Sequence, residues 1–112
     1  MDNKSEDRRR HVRVNREVCA WLSFHEDCAA YATLTEDLGP LGAQFCASRS
    51  VGVSERLLID FQFPSKNIGC EANVRWVRPA PNGKVNFGVQ FVNLSNGERE
   101  YLLQFLSKSA VV

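Results

Sequence analysis

From residue 16 onward, apolar and polar residues alternate in short runs divided by turn-forming residues. "REVCAWLSF" (16–24) alternates loosely and is rich in β-branched and aromatic residues, which predicts a strand. After the turn-like "HEDCA", "AYATLTED" (30–37) alternates again, with Tyr31, Thr33 and Thr35 on one face and Ala32 and Leu34 on the other. "LGPLG" breaks regular structure. "AQFCAS" (43–48) and "RLLIDFQF" (56–63) predict further strands; Leu57, Ile59, Phe61 and Phe63 recur at period two, so the second has one buried face. Pro64 ends it. "CEANVRWVR" (70–78) sets Ala72, Val74 and Trp76 against Glu71, Asn73 and Arg75, and "VNFGVQFVNL" (85–94) pairs back across Asn82-Gly83, the φ > 0 positions of a tight turn. Near the end the period changes. Ser95 and Glu98 form a capping box, and Leu102, Leu103, Phe105 and Leu106 make a helical stripe.

These elements predict a mostly β fold: a small six-stranded antiparallel β-barrel with a C-terminal α-helix over 95–108. Residues 1–7, polar and aperiodic, read as a flexible tail. Residues 8–112 then form one domain that includes an Arg-rich arm (8–16). The chain of 112 residues suits one modest core.

Composition adds exclusions. No apolar run approaches the ~18 residues of a membrane span, and "MDNKSEDRRR" lacks the apolar stretch of a secretory signal, so a cytoplasmic location is expected. Cys19, Cys28, Cys46 and Cys70 form no metal-binding spacing with His11 or His25, and their mostly apolar surroundings predict reduced core thiols. No His–carboxylate pair, nucleophile motif or metal set suggests an enzyme.

Charge is uneven. The net charge is only +1, yet six of the fourteen Lys and Arg fall within residues 4–16. From Glu17 onward there are eight basic and ten acidic residues, which argues against a surface for long nucleic acid and for a local anion site. Arg9 and Arg13 stand four apart, flanked by Arg8 and Arg10. Guanidinium forks grip phosphate bidentately, pair with the O6/N7 edge of guanine and stack on bases. A solvated basic tail has the same composition. The second candidate is "DLGPLG", where Asp37 can accept from guanine N1–H and N2–H₂, and Gly39 and Gly42 flank a proline in a tight loop. A plain inter-strand turn is the alternative.

Taken together, Arg-x-x-x-Arg, about two dozen residues, a loop of the form Asp-x-Ser-x-x-Gly, an antiparallel barrel and a closing helix resemble the PilZ domain family. "ANVRWVRP…GKVNFGVQFVNLSNGEREYLLQFL" is similar to its last hairpin and helix, with a Gly-Val-x-Phe strand. The resemblance implies a receptor for cyclic di-GMP, without catalysis or a resident cofactor. It also implies a protein partner in motility, polysaccharide or attachment control. By this resemblance Arg9 and Arg13 match the family's arm, with Arg8 and Arg10 as further phosphate or guanine contacts. Asp37 and Gly42 match the loop, and Trp76 lies on the strand where some members place an aromatic near the purine. One position departs: Gly39 stands where the family has serine. That departure favours a rival, a degenerate PilZ domain acting as a protein-interaction adaptor. A third class, a single-stranded nucleic-acid barrel, requires a basic groove that the acidic body does not provide.

Overall fold

The computed structural model describes residues 17–25, 27 and 29–110. Seven strands form one antiparallel sheet: β1 (Cys19–Phe24), β2 (Ala30–Leu34), β3 (Asp37–Leu38), β4 (Gly42–Ala47), β5 (Arg56–Gln62), β6 (Asn67–Pro79) and β7 (Val85–Phe91). Their order is β2-β1-β5-β6-β7-β4-β3. The mostly β class agrees with the sequence pattern, and the strand count is seven rather than six. The added strand is β3, two residues at the head of "DLGPLG" that pair Asp37 with Gln44 and Leu38 with Ala43. The sheet is a half-barrel. Strand β2 comes round beside β4 without a ladder between them, and Thr33 Oγ1 donates to the Cys46 carbonyl across the seam at 3.4 Å.

Period two explains the core. In β5, Leu57, Ile59 and Phe61 are buried while Arg56, Leu58 and Asp60 face out. Phenylalanines run through the interior in contact: Phe24–Phe87 at 6.1 Å, Phe87–Phe45 at 5.8 Å, Phe45–Phe61 at 6.3 Å and Phe61–Phe63 at 5.7 Å between centroids. The chain of rings ends on helix α1 (Asn96–Ala110), where Phe105 meets Phe63 edge-on at 4.8 Å. Leu102 and Leu106 of α1 are buried with them, whereas Leu103 is exposed and leaves the expected stripe.

The capping box forms. Glu98 N–H donates to Ser95 Oγ at 3.2 Å and Ser95 N–H to Glu98 Oε1 at 3.1 Å. Ser95→Ala is expected to cost about 1 kcal/mol, lowering the melting temperature by roughly 4 °C in a thermal scan. An unchanged midpoint contradicts this assignment.

Asn82 and Gly83 take positive φ, 64° and 74°, as the hairpin pattern required, within a short 3-10 turn (Pro81–Gly83). Arg49 ties two loops, with Nε 3.0 Å from Asp27 Oδ2 and Nη2 3.0 Å from Glu55 Oε2. Cys19, Cys46 and Cys70 are free thiols. Only Cys70 is a core thiol, pushed up to about 12 by burial and secondarily by Glu98. Cys19 is exposed, contrary to expectation, because it sits on the outward parity of β1; Cys28 lies outside the described residues.

Trp76 is the main correction. Strict alternation puts it with Ala72 and Val74, which are buried. A register shift between Val74 and Trp76 leaves Arg75 as an extra residue, so Val74 pairs with Val89 but Trp76 pairs with Gly88. Val77 then packs against the core opposite Phe87, and Trp76 turns to the outer face. The irregularity is held from both sides. Val74 also exchanges backbone hydrogen bonds with the 52–55 loop, from Val74 N–H to the Glu55 carbonyl at 2.9 Å and from Ser54 N–H to the Val74 carbonyl at 2.8 Å.

Candidate functional site

The β3–β4 hairpin is built tightly against β7. Gly39 N–H donates to the Gly42 carbonyl at 2.9 Å, closing the turn, and Phe91 N–H donates to the Leu41 carbonyl at 2.9 Å, docking the turn on the end of β7. Leu38, Gly39 and Pro40 are buried; Leu41 is exposed. Gly42 lies so close to β7 that a Cβ there would overlap the Val89 carbonyl oxygen.

Register then places the outer-face side chains. Asp37 is opposite Gln44, Gln44 opposite Gly88, and Gly88 opposite Trp76, one continuous row across β3, β4, β7 and β6. Residues in such a row share a face of the sheet. Gly88 leaves the row without a side chain, and the Trp76 indole fills that space: a Cβ on Gly88 would overlap Nε1, Cε2 and Cζ2 of the ring. The Arg78 guanidinium carbon stands 4.4 Å from the indole centroid. The next row holds Arg78, Asn86 and Cys46. Asn86 Oδ1 is buried without a hydrogen-bond partner among the described residues. Arg75, displaced by the register shift, is engaged elsewhere, its Nη1 donating to Gln90 Oε1 at 2.9 Å.

Beside this row, where β2 fails to pair with β4, lies an open groove of about 910 Å³. Asp37, Gln44, Cys46 and Lys84 line it, with Thr33 on the β2 side. Its remaining charges among the described residues are Glu17 and Glu36, so three described carboxylates face one ammonium. Among the described residues no group of His, Cys, Asp and Glu could hold a metal ion, and no helix is long and apolar enough to cross a membrane.

The sequence candidates therefore separate. Asp37 and Trp76 share one row, Gly42 sits at its edge, and Gly39 is inside the turn. Arg8, Arg9, Arg10 and Arg13 lie outside the described residues. Gln44, Gly88, Asn86, Arg78 and Lys84 were not singled out from the sequence. Gly88 opens the Gly-Val-x-Phe strand, but the others become visible only through register.

A family model described as PilZ domain matches residues 7–108. The chain belongs to the PilZ domain family. Solved structures agree on the fold of this PilZ domain. The Bacillus subtilis inhibitor of motility (MotI/DgrA) is 21% identical with a TM-score of 0.79, covering 90% of this chain and 50% of that one. The PilZ domain of Escherichia coli YcgR, solved with c-di-GMP, is 14% identical with a TM-score of 0.71, covering 91% of each chain. The PilZ domain of CeSA from a cellulose-synthesizing bacterium is 13% identical with a TM-score of 0.63, covering 86% of this chain and 95% of that one. The PilZ domain thus spans half the length of the Bacillus subtilis chain it matches. No curated protein is a significant match to the sequence. PilZ domains are a family of c-di-GMP receptors and are typically non-catalytic.

Proposed function

We propose that this protein is a cyclic di-GMP receptor of the cytoplasm that closes its Arg-rich arm over the ligand and passes the signal to a protein partner. The observation that carries this reading is the row Asp37–Gln44–Gly88–Trp76, which sets a carboxylate and an indole on one outer face with an open groove beside them. An acceptor for guanine N–H donors and a stacking surface for a purine are the two elements that a guanine dinucleotide needs from a sheet. Phosphate needs something else. With three carboxylates to one lysine among its described residues, the groove does not attract an anion by itself, and in this reading the positive charge comes from Arg8, Arg9, Arg10 and Arg13. Arg9 and Arg13 grip guanine edges and phosphates in this reading, with Arg8 and Arg10 adding contacts. Asp37 and Gly42 hold the opposite side. Closure of the arm creates a new surface, and the partner belongs to motility, polysaccharide or attachment control, a reading supported by the fold's likeness to an inhibitor of motility and to the PilZ domain of CeSA from a cellulose-synthesizing bacterium.

A second reading, an adaptor that binds no nucleotide, is favoured by Gly39. Without the family's serine hydroxyl, Gly39 could offer only its backbone, and its N–H is already spent on the Gly42 carbonyl. Gly39→Ser separates the readings. Positive φ among the described glycines occurs only at Gly83, so the φ of Gly39 is one that serine also adopts. A receptor lacking one ligand hydrogen bond gains it back, and calorimetry is expected to show c-di-GMP binding to both proteins, tighter in Gly39→Ser by about ten-fold. Binding by the serine variant alone, with a silent wild type, assigns the natural protein to the adaptor class.

A further inference from the structure

The outer face of Trp76 is already covered in this structure. With Gly88 beneath one edge of the indole, the Arg78 guanidinium lies over the ring at 4.4 Å, a planar cation on a π surface. A guanidinium and a purine compete for the same aromatic face, because both are flat and both stack at van der Waals distance. Arg75, the other arginine of this end of β6, is turned away and bonded to Gln90, so Arg78 is the β6 guanidinium placed to meet a base on Trp76. Arg78 is solvent-exposed, and no described acidic side chain forms an ion pair with it. It is free to leave the ring.

We propose that Arg78 is a specificity-determining residue that reads the base stacked on Trp76, taking guanine and rejecting adenine. This rests on the receptor reading above and adds a residue outside the arm and the loop. When a purine takes its place on the indole, the long side chain swings to the edge of that purine. Guanine presents two acceptors there, O6 and N7, which match the two-pronged donor set of a guanidinium. Adenine replaces O6 with an amino group that donates, and donor faces donor. Asn86 is paired in register with Arg78, and its Oδ1 is buried with no described partner.

The test uses Trp76 as its own reporter. The chain has two tryptophans, and Trp21 lies on the exposed outer face of β1, so Trp21→Phe leaves Trp76 alone without touching the site. In that background, c-di-GMP and its adenine counterpart c-di-AMP are titrated against the parent, Arg78→Ala and Arg78→Lys, by fluorescence and by calorimetry. The parent is expected to show quenching of Trp76 by c-di-GMP and a preference for it over c-di-AMP. Arg78→Ala is expected to shrink that preference by about ten-fold or more, and Arg78→Lys, a point charge without a fork, to restore only part of it. A preference unchanged in Arg78→Ala overturns the proposal. So does a loss shared equally by the two dinucleotides, which is the signature of a general charge effect on phosphate. Absence of c-di-GMP heat in the parent overturns the receptor reading together with this one, whereas heat in the parent with an unchanged preference overturns this one alone.

Discussion

Gly42→Ala is expected to destabilise the domain by about 3 kcal/mol, read as a lower urea midpoint at unchanged slope. The cause is local and rigid. A Cβ at 42 meets the carbonyl oxygen of Val89, a backbone atom in the centre of β7 that cannot rotate away as a side chain can. Strands β4 and β7 must separate at the residue where Gly42 pairs with Gln90, and the docking of the hairpin through Leu41 and Phe91 loosens with them. Against a total stability of roughly 5–15 kcal/mol for such a domain, that loss is severe. Because the same pairing sets the position of Asp37, ligand affinity is expected to fall as well. Gly52→Ala is the control, since a Cβ there meets nothing within 4 Å. Its midpoint is expected to stay within about 0.5 kcal/mol of wild type. Equal midpoints for Gly42→Ala and Gly52→Ala contradict the close approach as the reason for this glycine.

Replacing Arg9 and Arg13 together with alanine is expected to lower c-di-GMP affinity by roughly 100-fold or more. In the proposed clamp each guanidinium makes charge-assisted hydrogen bonds worth about 1.5–3 kcal/mol, and each such loss is about ten-fold or more in affinity. The described groove has no reserve to compensate. Lys84 is its single cation, set against Glu17, Glu36 and Asp37, and once the arm is neutralised an incoming phosphate meets net negative charge. The wild-type affinity is accordingly expected to weaken with added salt, and the residual affinity of the double variant to respond less steeply. Thermal midpoints measured alongside assign the loss: an unchanged midpoint means contacts were removed rather than the fold.

Much of the fold was legible because its determinants are local. Period two in "RLLIDFQF", the stop at Pro64, Asn82-Gly83 and the Ser95/Glu98 box each act over a few residues, and each element formed where its pattern lies. What escaped depends on pairing between distant strands. Nothing in "ANVRWVR" announces that Arg75 will be extra; the shift lies where Val74, in register with Val89, bonds through both its backbone N–H and its carbonyl to the 52–55 loop, and beyond it Trp76 turns outward. Strand β3 is two residues long and exists only through β4, so "DLGPLG" read as loop. For the site, Asp37, Gly39 and Gly42 were read from the turn motif and matched to the family's loop, whereas Trp76 came from the family resemblance. Gln44, Gly88, Asn86 and Arg78 join them only when register brings four strands into one row. Charge followed the same division. The arginine excess at the front was plain in the sequence, whereas the acidic groove assembles from Glu17, Glu36 and Asp37 in the fold.

The central claim is that this PilZ domain binds cyclic di-GMP through its arginine arm and the face carrying Asp37 and Trp76. Its most direct test is calorimetric titration of c-di-GMP into the wild-type protein and, in parallel, into Arg9→Ala/Arg13→Ala. The account predicts a saturable heat with wild type and a flat trace with the double variant over the same concentrations. Equal heats from the two proteins, or none from wild type, contradict it.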